Sequence, residues 1–213
     1  MRVLWVTALV VLVDQAAKLA VKGFSIPVMN LYHAGMQLGE SIPILGEFFR
    51  LTFIENPGMA FGIDVGGKLF VTLFSIAASG GILWYLFKIR TESIAVRFAL
   101  ALILGGALGN LIDRVFYGVI FGEGPLFYGK VVDFFDVDFF NVQIASFHLS
   151  RWPVFNIADA SVSIGVLTML FFHKEFASEN SPASANVLAS DASVKSSSPT
   201  PQSEVSGSSS SQT

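Results

Sequence analysis

Long apolar stretches alternate along the chain with segments that hold most of its polar residues. Four stretches reach the roughly 20 mostly apolar residues that a helix needs to cross a bilayer, at about residues 3–21, 69–87, 94–117 and 154–172. The pattern predicts an all-α membrane core with four transmembrane helices, contained in residues 1–176. The first stretch also resembles a secretory signal peptide, so its cleavage is the alternative, although the polar residues Asp14, Gln15 and Lys18 interrupt the place for a cleavage site.

Lysine and arginine residues in short loops predict the orientation of these spans. The short connector at residues 88–92 contains Lys88 and Arg90, and Arg2 and Lys174 fall on the same side of the predicted bundle. Short cytoplasmic loops carry an excess of such cations. We therefore expect both termini to face the cytoplasm and the longer segments, at about residues 22–68 and 118–153, to face outward.

The outward segments predict short strands at the membrane surface. Residues 47–55 and 131–144 are rich in aromatic and β-branched residues, which favour strands. Asn56-Pro57-Gly58 is typical of a turn after the first of them. By contrast, the Ser-rich residues 177–213 cannot bury enough apolar surface to fold, which predicts a disordered cytoplasmic tail without a catalytic role.

Composition excludes several classes of protein. Of the 213 residues, 53% are hydrophobic and 14% are charged, against about 25% charged in soluble domains. The absence of cysteine excludes disulfides, thiolate nucleophiles and Cys-ligated metals. No basic cluster suits a nucleic acid, and no His-Glu-x-x-His motif suits a zinc protease. A serine mechanism would require Ser79 with His173 as its base, and close helix packing explains the small residues around Ser79 better.

Polar side chains concentrate in the outward halves of the predicted helices. A charge inside a membrane span costs about 2.5–3.5 kcal/mol on insertion scales, so each one requires a reason. Because successive helices run in opposite directions, the polar sets reach one depth, close to polar residues of the outward segments. The set comprises Asp14, Gln15, Lys18, Asn56, Asn110, Asp113, Arg114, Asp133, Asn156 and Asp159. We expect a polar pocket between the helices near the outer face; ion pairs and amides that only join helices are the alternative.

Carboxylate chemistry fits this pocket best. Asp133 and Asp159 have apolar neighbours and no cation beside them in the sequence. Two carboxyls close together in a low-dielectric site share one proton. The ionised member can deprotonate a water while the protonated member hydrogen-bonds the scissile carbonyl. This is aspartic-protease chemistry, for which we expect neither a metal nor an organic cofactor; Asp136 and Asp138 are weaker partners for Asp133.

Five motifs occur together and in order. They are residues 13–18 (VDQAAK), 55–62 (ENPGMAFG), 105–114 (GGALGNLIDR), 131–134 (VVDF) and 155–161 (FNIADAS). With these motifs the chain resembles the bacterial lipoprotein signal peptidases, also called type II signal peptidases, a family of four-helix membrane aspartic peptidases.

The resemblance implies a substrate and a role for each polar residue. Such an enzyme removes the signal peptide of a prolipoprotein by cutting before a cysteine that carries a diacylglyceryl group. Asp133 and Asp159 would be the catalytic dyad, and the strand that ends at Asn56 would form a small β cradle on the outer surface. The residues that would line the site and bind substrate are Asn56, Gly58, Asn110, Arg114 and Asn156. Those that would support them are Asp14, Lys18 and Asp113.

The same resemblance implies a multi-pass protein of the bacterial cytoplasmic (inner) membrane with its active site near the outer face. Its partners would be lipidated prolipoproteins and membrane lipids, and we expect a monomer. From the residues alone, a proton-coupled transporter and a structural subunit remain alternatives. Few polar residues lie in the inner halves of the helices, which counts against a transporter, and the structural subunit is the third choice.

Overall fold

The computed structural model describes residues 2–60, 63–64, 67–91, 93–138, 142–144, 147–149 and 152–172. The predicted tail at residues 177–213 lies outside the described residues. Within them, helices form one layer and small antiparallel sheets lie at one end of it.

Three helices are long and apolar enough to cross a membrane. They are α1 (Leu4–Lys22), α2 (Gly67–Lys88) and the continuous stretch Ile94–Ile120. The third comprises α3 (Ile94–Ile112), a π-helical turn (Asp113–Tyr117) and the short α4 (Gly118–Ile120). In position and length, these helices match three of the four predicted spans.

The fourth predicted span is shorter in the structure than the sequence pattern indicates. Of residues 154–172, α5 takes only Ile157–Phe171, which is 15 residues. Phe155 pairs with Phe135 as an extended residue, and Asn156 caps the helix, so the first residues of the apolar stretch are not helical. The described part of the chain therefore contains three helices of spanning length and a shorter apolar one.

Helix α3 lies at the centre of the bundle, in contact with α1, α2 and α5. Glycines allow this close approach: a Cβ atom on Gly106 would lie 2.2 Å from the carbonyl oxygen of Ala158 in α5. The outer faces of α1 and α2 expose large apolar side chains such as Trp5, Phe74 and Trp84. Such faces suit contact with lipid, where helices satisfy their own backbone hydrogen bonds.

The strands form hairpins and one larger sheet. β1 (Phe24–Ile26) pairs with β2 (Leu31–His33), β5 (Met59–Ala60) with β6 (Ile63–Asp64), and β8 (Val142–Ile144) with β9 (Phe147–Leu149). The larger sheet is antiparallel, in the order β3 (Ser41–Leu45), β4 (Phe49–Asn56), β7 (Val131–Val137). Strands are thus confirmed in both predicted segments, although residues 131–144 divide into two.

An apolar cluster joins the larger sheet to the helices. It contains Val21 from the end of α1, Phe53 from β4, Tyr117 from the π-helical turn, and Val132 and Phe134 from β7. Because successive strand residues point to opposite faces, Asp133 lies between two residues of this cluster and points the other way. The packing of β7 against the helix ends therefore fixes the position of Asp133.

Candidate active site

A buried ion triad joins α1 to the end of α3. Lys18 Nζ lies 2.9 Å from an Asp14 carboxylate oxygen and 2.7 Å from Asp113 Oδ2, and all three side chains are fully buried. Asp14 and Lys18 are one helical turn apart on α1, the spacing at which side chains meet. Lys18 also donates to Asn110 Oδ1 at 2.9 Å. Its ammonium group thus has three polar partners, as a buried cation requires.

The two carboxylates of the triad hold the backbone on either side of the pocket. Asp14 Oδ1 accepts a hydrogen bond from the Ala158 amide at 2.9 Å. Asp113 Oδ2 accepts one from the Val132 amide at 3.2 Å. Each of these amides lies one residue before a predicted catalytic aspartate. The triad therefore positions the backbone next to Asp133 and Asp159.

Gln15 and Tyr117 extend this network. Gln15 Nε2 donates to Asp113 Oδ1 at 2.8 Å and to the Gly109 carbonyl at 3.1 Å, while the Tyr117 hydroxyl donates to Gln15 Oε1 at 3.0 Å. Sequence reasoning placed Gln15 in the pocket but missed Tyr117. The available signal was the position of Tyr117, four residues after Asp113 in the same helical stretch.

Asn156 connects the two aspartates. It is fully buried, and its Nδ2 lies 2.6 Å from Asp133 Oδ1 and 3.1 Å from Asn110 Oδ1. Its Oδ1 accepts from the Asp159 amide at 2.9 Å, and its own amide donates to Asp159 Oδ2 at 3.2 Å. This reciprocal pair is a capping box, which satisfies amides at the start of α5. The same residue, Asn156, therefore both caps α5 and hydrogen-bonds the two aspartates.

Asn110 completes the bridge from α3. Its Nδ2 donates to Asp159 Oδ1 at 2.7 Å, and its Oδ1 accepts from Lys18 and Asn156. Both carboxylate oxygens of Asp159 thus accept N–H donors. Asp159 is half-buried, whereas Asp133 is 4% exposed. The site has one buried and one accessible carboxyl group.

Burial and charge change the acidity of Asp133. Its desolvation, together with the nearby charge of Asp159, raises its pKa from 3.8 to about 7. The hydrogen bond from Asn156, the charge of Lys18 and the hydrogen bond from Asn56 oppose this shift without cancelling it. Asp133 is therefore protonated below about pH 7 and ionises around neutral pH.

Arg114 brings positive charge to both carboxyls. It interacts electrostatically with Asp113, Asp159 and Asp133, and its Nη1 donates weakly to the Asn110 carbonyl at 3.4 Å. Within the part of the chain that the structure describes, its buried Nε has no hydrogen-bond partner. Buried donors normally have one, so this N–H is available to a ligand.

The end of β4 and the turn after it contribute the predicted site residues Asn56 and Gly58. Gly58 has a φ of 100° and donates its amide to Asn56 Oδ1 at 2.9 Å, as the predicted turn requires. The preceding Glu55 forms ion pairs with Lys22 and Lys130. Although burial opposes the charge of Glu55, these lysines hold its pKa below 4.5. They anchor the strand that presents Asn56 to Asp133.

Comparison with known proteins identifies the family. The model of the family described as signal peptidase (SPase) II matches residues 6–174. The chain belongs to the signal peptidase II family. It is therefore a protease, and its apolar helices make it a membrane protein.

Relatives and solved structures agree with this family. The lipoprotein signal peptidase of Porphyromonas gingivalis is 37% identical over 195 residues, covering 78% of this chain and 80% of the relative. That of Chlorobaculum parvum is 36% identical over 167 residues, covering 78% and 91%. A solved structure described as a bacterial membrane enzyme, determined by the in meso method at 2.3 Å resolution, superimposes with a TM-score of 0.57. It is 28% identical and covers 85% of this chain and 92% of its own.

Two rival aspartates of this signal peptidase II family member lie elsewhere. Asp136 is buried in β7 and accepts a hydrogen bond from Thr52 Oγ1 at 2.7 Å. It lies three positions after Asp133, an odd offset, so the strand turns the two side chains to opposite faces. The amide of Asp138 donates to the Phe48 carbonyl at 2.9 Å. Asp136 therefore belongs to the sheet, and Asp138 directly follows β7 beside the residue that precedes β4.

Other chemical options find little support in the described residues. There, no group of three or more His, Asp or Glu side chains could hold a metal ion. Ser79 is buried within α2, and His173 lies outside the described residues. Among the polar residues that the sequence pointed to, the structure brings Asp133, Asp159, Asn110, Asn156 and Arg114 together.

Proposed function

We propose that this family member removes the signal peptide from prolipoproteins by cutting before a diacylglyceryl-modified cysteine, with Asp133 and Asp159 as a catalytic dyad. The observation that carries the proposal is the link of both carboxyl groups to Asn156, one buried with a raised pKa and one accessible. The relatives in Porphyromonas gingivalis and Chlorobaculum parvum are named lipoprotein signal peptidases, which supports the choice of substrate.

The geometry supports a separate role for each aspartate. Asp159 is the base: it takes a proton from a water, and the water oxygen attacks the scissile carbonyl carbon. The protonated form of Asp133, which persists up to about neutral pH, donates a hydrogen bond to the carbonyl oxygen as negative charge develops there. When the C–N bond breaks, the proton held by Asp159 passes to the amine nitrogen of the modified cysteine. No metal is needed for any of these steps.

Side chains around the dyad supply substrate contacts. The buried Nε of Arg114 is a donor for a peptide carbonyl. Asn56 ends β4 and Gly58 lies in the turn that follows; both are partly exposed, and we assign them to contacts with an extended peptide. Asn110 and Asn156 act mainly on the aspartates, because their amide groups already have partners there.

The arrangement also supports a position in the bacterial inner membrane. Lys88, Arg90 and Arg97 lie at the end of the bundle away from the sheet, as does Arg2. By the positive-inside rule, that end of the bundle faces the cytoplasm. The proposed dyad then lies near the outer face of the membrane, where a lipid-anchored cysteine is presented. In this proposal α5 is the fourth span, both termini are cytoplasmic, and the enzyme acts as a monomer.

Cleavage of a diacylglyceryl-modified prolipoprotein by purified protein in detergent tests the proposal. The variants are Asp133→Asn and Asp159→Asn, with Asp138→Asn as the matched control outside the site. Asparagine keeps an oxygen acceptor, so the cap of α5 survives in Asp159→Asn. We expect both dyad variants to fold and to lose cleavage, and the control to retain it.

Three outcomes would refute different parts of the proposal. Full cleavage by a folded Asp133→Asn or Asp159→Asn protein would reject the dyad. Equal cleavage of the unlipidated precursor would reject the lipid requirement. A folded wild-type protein that cleaves neither substrate would reject the proposed substrate class.

A further inference from the structure

A cavity lined by three arginines lies at the end of the bundle away from the dyad. Its volume is about 460 Å³, and its lining consists of Arg2, Phe87, Arg90, Thr91 and Arg97. We call it the arginine pocket. Arg2 precedes α1, Arg90 follows α2 and Arg97 lies in the first turn of α3, so three chain segments contribute one guanidinium each.

The charges of the arginine pocket have no carboxylate partner among the residues that the structure describes. The ion pairs found there involve Lys18, Lys22, Arg50 and Lys130, and none of the three pocket arginines. The buried Nε of Arg97 also lacks a hydrogen-bond partner within the same residues. Converging positive charge with an unused buried donor indicates a site for an anion.

The surroundings of the pocket indicate which anion. Guanidinium groups bind phosphate oxygens through paired N–H donors. Phe87 lines the pocket, and Trp84 on α2 and Ile94 and Phe98 on α3 are exposed apolar side chains at the same end of the bundle. Inorganic phosphate would make no contact with this apolar surface, whereas the acyl chains of a phospholipid would cover it.

We propose that the arginine pocket binds the phosphodiester headgroup of an anionic phospholipid, with the acyl chains along α2 and α3. Basic pockets between transmembrane helices are known to suit such headgroups. The site is separate from the proposed peptidase site at the other end of the helices. The lipid-binding proposal is therefore independent of the peptide bond that the enzyme is proposed to cut.

Binding of lipids to the purified protein in detergent tests the proposal. Native mass spectrometry would compare phosphatidylglycerol with phosphatidylcholine, and inorganic phosphate would be the third ligand. The test variant is Arg90→Gln with Arg97→Gln, and the matched control is Lys88→Gln, an exposed cation at the same end that lies over the Trp84 ring. Lost charge-assisted hydrogen bonds predict at least about a tenfold loss of phosphatidylglycerol affinity in the double variant and little change in the control.

Folding and cleavage are measured for each variant, and the single variant Arg97→Gln replaces the double variant if that one does not fold. We expect wild-type cleavage from the arginine variants, since neither residue lies near the dyad. Equal binding of both lipids would overturn the proposal, as would binding of inorganic phosphate with the same affinity as phosphatidylglycerol. Phosphatidylglycerol binding that appears only after Glu92→Gln would also overturn it, because the pocket charge would then be neutralised within the chain.

Discussion

Replacement of Lys18 by methionine tests whether the ion triad holds the active site together. Lys18 Nζ contacts Asp14, Asp113 and Asn110, and no part of its side chain is exposed. Methionine fills a similar volume without charge, so two buried carboxylates lose their cation. Breaking a buried pair costs about 3–5 kcal/mol. Both carboxylates still accept hydrogen bonds from backbone amides, among them those of Ala158 and Val132. We therefore expect the free energy of unfolding to fall by about 3 kcal/mol, at the lower end of that range.

The effect on cleavage follows from the same contacts. Asp14 and Asp113 hold the amides that precede Asp159 and Asp133. Repulsion between the two carboxylates would move these segments apart, and a misplacement of about 1 Å can cost on the order of 100-fold in rate. We therefore expect Lys18→Met to lower kcat strongly even at temperatures where the protein remains folded.

Thermal unfolding in detergent and single-turnover cleavage measure the two effects. Lys88→Met is the matched control, because it removes the same group from an exposed position. Adding Asp113→Asn to Lys18→Met removes one of the opposing charges and should restore about 1–3 kcal/mol. The reasoning would be refuted if Lys18→Met unfolded at the temperature of the Lys88→Met control, or if the second substitution destabilised the protein further.

Three further predictions concern protonation, packing and metal. Burial and the charge of Asp159 raise the pKa of Asp133 to about 7, so this hydrogen-bond donor loses its proton as the pH rises. We expect kcat to fall about tenfold per pH unit above about pH 7. A kcat that stays flat to about pH 9 would contradict the role assigned to Asp133. Gly106→Ala should destabilise the protein by about 1–3 kcal/mol, because its Cβ would lie 2.2 Å from the Ala158 carbonyl oxygen. Gly81→Ala, in the interior of α2, meets nothing within 4 Å and should be neutral or slightly stabilising in the same unfolding assay. EDTA should leave cleavage unchanged, and inactivation that is reversed by added metal would reject a mechanism based on two carboxyls alone.

The sequence predicted those contacts that follow from helical spacing. The four-residue spacing of Asp14 and Lys18 places both side chains on one face of α1, and the structure pairs them. The alternation of helix directions indicated that Asn110, Asn156 and Asp159 would meet, and they do. These contacts depend only on periodicity and on the order of the spans.

Other contacts could not be predicted, because they depend on tertiary geometry. The hydrogen bond from Val132 to Asp113 requires the position of β7 against a π-helical turn, and no local pattern indicated that turn. The short α5 results from the cap at Asn156, which ends the extended segment inside an apolar run. Sequence hydropathy does not distinguish these two conformations within one apolar stretch.

The capping box of α5 has a consequence for the biosynthesis of the enzyme. Asp159 receives its backbone partners only when α5 has begun at Asn156, and Asn156 reaches Asp133 only when α5 has docked on α3. Helix α5 is the last helix of the described chain, so a nascent chain that has inserted only α1 to α4 has no assembled dyad. With the dyad proposed above, a copy of the protein in which α5 has not yet docked on α3 cannot cleave other proteins in the membrane.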